Sequence, residues 1–124
     1  MIDRKHPITV LVVDDDPAIL DFLKELLAEY EYQTILASSG EEALEIAANH
    51  PPIDLLLTDI KMPGINGITL AKQLLALYPM IKVLFMSAFS LPTTLYSIAG
   101  HKVSFLQKPF PVDTIIAKME AALN

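Results

Sequence analysis

The sequence predicts an α/β domain, a doubly wound (βα)5 arrangement with one five-stranded parallel sheet and helices on both faces. Three observations carry that prediction. Five short apolar runs alternate with amphipathic stretches along the chain, the pattern of repeated βα units. Most of the runs are rich in Val, Ile, Leu or Phe, as strands covered on both faces require. Hydrophobic residues make up 52% of the 124 positions, which suits one core in one domain. Residues 1–124 are therefore expected to be a single domain, with 1–6 a loose N-terminal segment.

The expected strands are Ile8–Val13, Gln33–Ala37, Leu55–Thr58, Val83–Ser87 and Val103–Gln107. The first helix runs from about Pro17 to Tyr30, with Ile19, Phe22, Leu23, Leu26, Leu27 and Tyr30 on one stripe. Asp16 is placed as its N-cap, and Pro17 takes the first helical position. The second helix runs from Gly40 to Asn49. Ser39 and Glu42 have capping-box spacing there, and Pro51-Pro52 forbids continuation. The third runs from Asn66 to Leu77 and stops before Pro79. A weaker fourth spans Pro92 to Ala99 and is ended by Gly100, and a fifth spans Pro111 to Leu123.

Composition narrows the function. With no cysteine, disulfides and thiol chemistry are excluded. A net charge of −6 argues against direct nucleic-acid binding, which needs a basic face. No apolar run approaches the roughly 20 residues of a membrane helix, so neither a membrane span nor a targeting segment is expected and a cytoplasmic location is the default. His6, His50 and His101 lack metal-ligand spacing. Met62, Met80, Met86 and Met119 read as core or turn packing, and Glu41, Glu42 and Glu45 as a solvated helix face.

In an open parallel sheet, ligands bind at the carboxyl ends of the strands. Those ends carry Asp14-Asp15-Asp16, Asp59, Ser87-Ala88 and Lys108-Pro109-Phe110. Asp14, Asp15 and Asp59, packed together, would repel one another, and a bound cation removes the conflict. An all-oxygen donor set suits magnesium, which keeps several waters and accepts phosphate oxygens. Asp16 alone is explained by helix capping; the other acids are not. A carboxylate held at Asp59 by the following Pro63-Gly64 turn can attack phosphorus, with Lys108 and the Ser87 hydroxyl neutralising the transferred charge.

At these residues the chain resembles the receiver domain of two-component response regulators. The resemblance rests on Val12-Val13-Asp14-Asp15-Asp16-Pro17, on Leu57-Thr58-Asp59-Ile60-Lys61-Met62-Pro63-Gly64-Ile65-Asn66-Gly67, on Met86-Ser87-Ala88 and on Lys108-Pro109-Phe110, each following a strand. It implies a flavodoxin-like fold with strand order 2-1-3-4-5 and a cis Lys108–Pro109 bond. It further implies Asp59 as phosphoacceptor and Asp14 and Asp15 as the metal-binding pair, Asp15 directly and Asp14 largely through water. The Lys61 backbone carbonyl becomes a further ligand of Mg2+ (or Mn2+), Lys108 the phosphoryl-pairing lysine, and Ser87 and Phe105 the switch pair. The implied partners are a histidine kinase or histidine phosphotransfer protein and a downstream effector, with output through the face of the fourth helix, fifth strand and fifth helix. Such a domain is a switch that takes up and slowly loses its own phosphoryl group, not an enzyme with a separate substrate.

The sequence departs from common family patterns in places. Phe105 lacks a tyrosine hydroxyl, and the resemblance implies that Lys61 and Phe89 occupy positions that tune phosphoryl lifetime. His101-Lys102-Val103-Ser104 lacks the acidic pair of one large DNA-binding subfamily. Two rivals remain open at this point: a magnesium-dependent phosphatase with a strand-one aspartate as nucleophile, disfavoured because no Thr or Val stands at position 18, and a receiver-like module that is never phosphorylated.

Overall fold

A computed structural model describes residues 7–50, 52–88, 97–98 and 100–124. The elements are β1 (Thr9–Val13), α1 (Pro17–Glu29), β2 (Gln33–Ala37), α2 (Gly40–Asn49), β3 (Leu55–Asp59), α3 (Gly67–Leu77), β4 (Lys82–Ser87), β5 (Ser97–Ile98), β6 (His101–Lys102), β7 (Ser104–Gln107) and α4 (Val112–Leu123). Five strands form one parallel sheet in the order β2-β1-β3-β4-β7, so the expected fifth strand is β7 and the implied order holds.

Alternation along the strands feeds two cores. Val10, Val12, Leu55, Leu57, Leu84, Met86 and Leu106 face α1 and α4, meeting Leu23, Leu27, Ile115 and Met119. Leu11, Val13, Leu56, Val83 and Phe85 face α2 and α3, meeting Ala43, Ala47, Leu70 and Leu74. Each fully buried leucine contributes about 1.5–3 kcal/mol, so the two cores together anchor the sheet from both sides.

The caps fall as the residue types require. Asp16 accepts a hydrogen bond from the Ala18 N–H at 2.9 Å, and Pro17 opens α1. Ser39 Oγ accepts from the Glu42 N–H at 3.1 Å, but the return arm of the expected box reaches one residue further back: Glu42 Oε1 accepts from the Ser38 N–H at 2.6 Å. Asn66 turns out to be the N-cap of α3 and not its first residue, accepting from the Thr69 N–H at 2.9 Å.

Three expectations need correction. The buried line of α1 is Leu20, Leu23, Leu26 and Leu27, with Ile19 only partly buried, whereas Phe22 is 43% exposed and Tyr30 caps the helix end. An apolar count cannot tell which of two overlapping stripes meets the sheet, and the line through Leu20 does. Met80 does not pack; it is 83% exposed in the turn after α3. Ser97 and Ile98 do not end a helix: they pair antiparallel with His101 and Lys102 around Gly100, whose φ of 82° is a left-handed turn conformation. The rest of the expected fourth helix, with Phe89, lies outside the described residues, as do residues 1–6.

Candidate functional site

Because every strand of the large sheet runs the same way, all its carboxyl ends reach one edge. The central strands β1 and β3 are registered Val13 to Thr58, and the next residue on each is an aspartate, Asp14 and Asp59. β3 is registered to β4 as Asp59 to Met86, which puts Ser87 one step further along the neighbouring strand. β7, on the outer side of β4, is followed by Lys108, whose backbone N–H donates to the Ser87 carbonyl at 2.7 Å. The Lys108–Pro109 peptide bond is cis.

One carboxylate oxygen each from Asp14, Asp15 and Asp59 lie within 4.8 Å of one another. Asp14 is 1% exposed, Asp15 is exposed and Asp59 is half-buried. Lys108 reaches across the edge to both central carboxylates, with Nζ 3.0 Å from Asp14 Oδ2 and 3.4 Å from Asp59 Oδ2. The other Asp14 oxygen accepts from the Asp16 N–H at 2.9 Å. Asp16 itself is turned away into the cap of α1, so the three consecutive aspartates have three different settings: one buried against Lys108, one exposed at the acidic cluster and one capping a helix.

The electrostatics reflect this crowding. Burial pushes the Asp59 carboxyl above the usual carboxylate range; the Lys108 ammonium pulls it back, Asp14 pushes it up again, and the Ile60 N–H holds it down. Burial works against the Lys108 ammonium, but its hydrogen bond to Asp14 and the charges of Asp14 and Asp59 overcome that and raise its pKa. One ammonium thus faces more carboxylate charge than it can balance. Three carboxylate oxygens, two from the tip of β1 and one from the end of β3, clustered and electron-rich, fit a hard divalent cation.

The remaining predicted residues are nearby but not in the cluster. Ser87 is buried at the end of β4. Lys61 is exposed in the loop between β3 and α3. Phe105 stacks on Phe85 with ring centroids 5.3 Å apart and an interplanar angle of 26°. Three contributions were not foreseen. The Ile60 N–H donates to Asp59 Oδ1 at 2.8 Å. Gly67 lies so close to the Asp59 carbonyl that a Cβ there would collide with it. Glu41, read as solvated, accepts from the Ile65 N–H at 3.3 Å and so touches the same loop. Only the glycine left a sequence signal, at the end of the Gly64–Gly67 run.

Comparison with known proteins names the family of this doubly wound parallel domain with three acids and a lysine at its strand tips. The response regulator receiver domain family matches residues 10–120. The transcriptional regulatory protein ZraR of Escherichia coli (strain K12) is 38% identical over 117 residues, covering 94% of this chain and 26% of that protein. A CheY-like receiver domain protein from Methanospirillum hungatei JF-1 superposes with a TM-score of 0.86 at 28% identity, covering 95% of this chain and 94% of that one. The response regulator TrrA from Thermotoga maritima, solved in complex with Mg(2+)-BeF, superposes with a TM-score of 0.82 at 33% identity over 94% of this chain and 99% of that one. The chain belongs to the response regulator receiver domain family of two-component signalling. It spans about a quarter of the length of the first curated relatives it matches. Receiver domains bind magnesium at an acidic cluster of this kind, and among the described residues no helix is long and apolar enough to cross a membrane.

Proposed function

We propose that this domain takes a phosphoryl group onto Asp59 from a phosphohistidine on a partner kinase or histidine phosphotransfer protein, and that residues 1–124 act as one receiver unit. A carboxylate oxygen of Asp59 forms the new O–P bond as the P–N bond breaks, and the leaving imidazole takes a proton from solvent. The observation that carries this reading is the meeting of the Asp14, Asp15 and Asp59 oxygens within 4.8 Å of one another beside the Lys108 ammonium.

Asp14, Asp15, Asp59 and the backbone carbonyl of Lys61 are the residues assigned to hold Mg2+, or Mn2+. When bound, the cation neutralises charge on the transferring phosphoryl oxygens. The chain supplies the rest. The Ile60 N–H orients the acceptor carboxylate, and Lys108 is close enough to shift from Asp59 to a phosphoryl oxygen without leaving Asp14. The phosphoryl group adds roughly −1.5 to −2 charge, which draws Lys108 and the Ser87 hydroxyl inward. Phe105 then follows into the space Ser87 leaves, changing the face built by β7, α4 and the segment before β7. A shift from mostly inactive to mostly active needs about 5 kcal/mol. A few charge-assisted hydrogen bonds at about 1.5–3 kcal/mol each supply it. The domain is a switch that modifies itself; a cytoplasmic location goes with such a kinase partner, and a separate effector reads the altered face.

The test is labelling by a small phosphoramidate donor, followed by intact mass. One phosphoryl group is expected with magnesium and none after chelation, and Asp59→Asn is expected to abolish the gain. Equal labelling of the Asn variant would overturn the assignment.

A further inference from the structure

Thr58 is a buried polar group that the mechanism above does not use. It is 0% exposed in a strand otherwise apolar up to Asp59, and its registered neighbours Val13 and Phe85 both belong to the core facing α2 and α3. A valine would fill the same space there at no loss of apolar contact, so packing does not explain a hydroxyl. The hydroxyl donates to the backbone carbonyl of Asp59 at 2.9 Å.

That carbonyl belongs to the peptide unit whose N–H, from Ile60, donates to Asp59 Oδ1 at 2.8 Å. One peptide plane is therefore gripped on both edges. On its oxygen side, Thr58 donates to it and Gly67 packs against it; on its nitrogen side, the Ile60 N–H is shared between the Asp59 carboxylate and the Met86 carbonyl at 3.2 Å. Rotation of the plane would swing the N–H away from Oδ1 and release the carboxylate from the direction in which it meets Lys108 at 3.4 Å. The same unit begins the loop that carries Lys61, so its tilt also sets where the Lys61 carbonyl starts.

We infer that Thr58 is a positioning residue for phosphoryl acceptance: its hydroxyl, through the Asp59–Ile60 peptide, fixes the attacking carboxylate. The inference rests on the reading of Asp59 as acceptor and adds to it a residue that touches neither the donor nor the cation. Orientation of this kind acts on the rate of attack and not on capture of the donor.

The experiment measures single-turnover phosphorylation by a small phosphoramidate across donor concentrations, with saturating magnesium, for the parent, Thr58→Val and Thr58→Ser. Thermal melts are recorded for each. The maximal rate constant of Thr58→Val is expected to fall on the order of tenfold, since a misplacement of about 1 Å can cost roughly a hundredfold. The donor concentration at half-maximal rate stays unchanged, and Thr58→Ser recovers the rate. A parent-like rate in Thr58→Val, or a loss that serine does not recover, overturns the inference while leaving Asp59 as acceptor. Failure of the parent itself to label overturns both. If Thr58→Val does not fold, Thr58→Ala against Thr58→Ser repeats the comparison, because that pair differs only in the hydroxyl; equal rates in the two overturn it.

Discussion

Asp54 and Asp59 stand at the two ends of β3, and the contrast between them separates a structural carboxylate from the one proposed as phosphoacceptor. At the amino end, Asp54 Oδ2 accepts from the Thr9 N–H at 2.8 Å. Its own N–H donates to the Thr9 carbonyl at 2.9 Å, and its carbonyl accepts from the Lys82 N–H at 3.0 Å. Asp54 thus staples the starts of β1, β3 and β4 through backbone groups, with neutral donors and no clustered acid among the described residues. At the carboxyl end, Asp59 shares one ammonium with Asp14 and has a carboxylate oxygen within 4.8 Å of one from Asp15. A carboxylate served by backbone N–H groups gains little from a cation. One crowded by other carboxylates gains a great deal.

Removing the shared ammonium should break the contrast most strongly. Lys108→Met is expected to lower the rate of Asp59 phosphorylation by about 100-fold or more, the usual loss for one preorganised donor at a developing charge. Stopped-flow labelling checks it, and a drop of less than about threefold would show that the lysine is only a structural counter-ion. At the other end, Asp54→Ala leaves the buried Thr9 N–H without its side-chain acceptor. It is expected to destabilise the fold by about 1.5–3 kcal/mol in urea titrations while leaving the labelling rate unchanged. A slower rate with unchanged stability would reverse the roles of the two ends.

The smallest effect sharpens the comparison through pH. The folded-state pKa of Asp59 is raised, so the folded chain holds that proton more tightly than the unfolded chain. The stabilisation linked to that proton is complete below the unfolded carboxylate value and is lost as pH rises through the raised folded value. Without metal, Asp59→Asn is therefore expected to melt higher than the parent at neutral pH, with the gain shrinking as pH falls through the raised pKa. Melts across pH in chelator measure it, and a gain that grows toward acid would show the sign to be wrong.

Much of the site was legible because its residues sit at predictable places. Asp14, Asp59, Ser87 and Lys108 each follow a strongly apolar run, and parallel strands bring such ends to one edge. The interactions made by backbone were not legible. The Ile60 N–H on Asp59 and the Glu41 carboxylate on Ile65 depend on the path of the loop after β3, which residue types leave open. The hairpin at Ser97–Ile98 was missed for a related reason: a short apolar stretch ending in glycine reads equally as a fading helix or as half of a turn.

Local chemistry alone determined the five strands of the large sheet, most helix ends and the identity of the tip residues, because side-chain period and capping act over a few positions of one chain segment. Only the tertiary structure decided which stripe of α1 is buried, which of Asp14, Asp15 and Asp16 is buried, exposed or a helix cap, and where the Thr58 hydroxyl points. Those outcomes turn on distances between segments far apart in sequence: β1 is central, so Asp14 is covered by its neighbours, while α1 begins at Pro17 and carries its N-cap Asp16 out of the cluster.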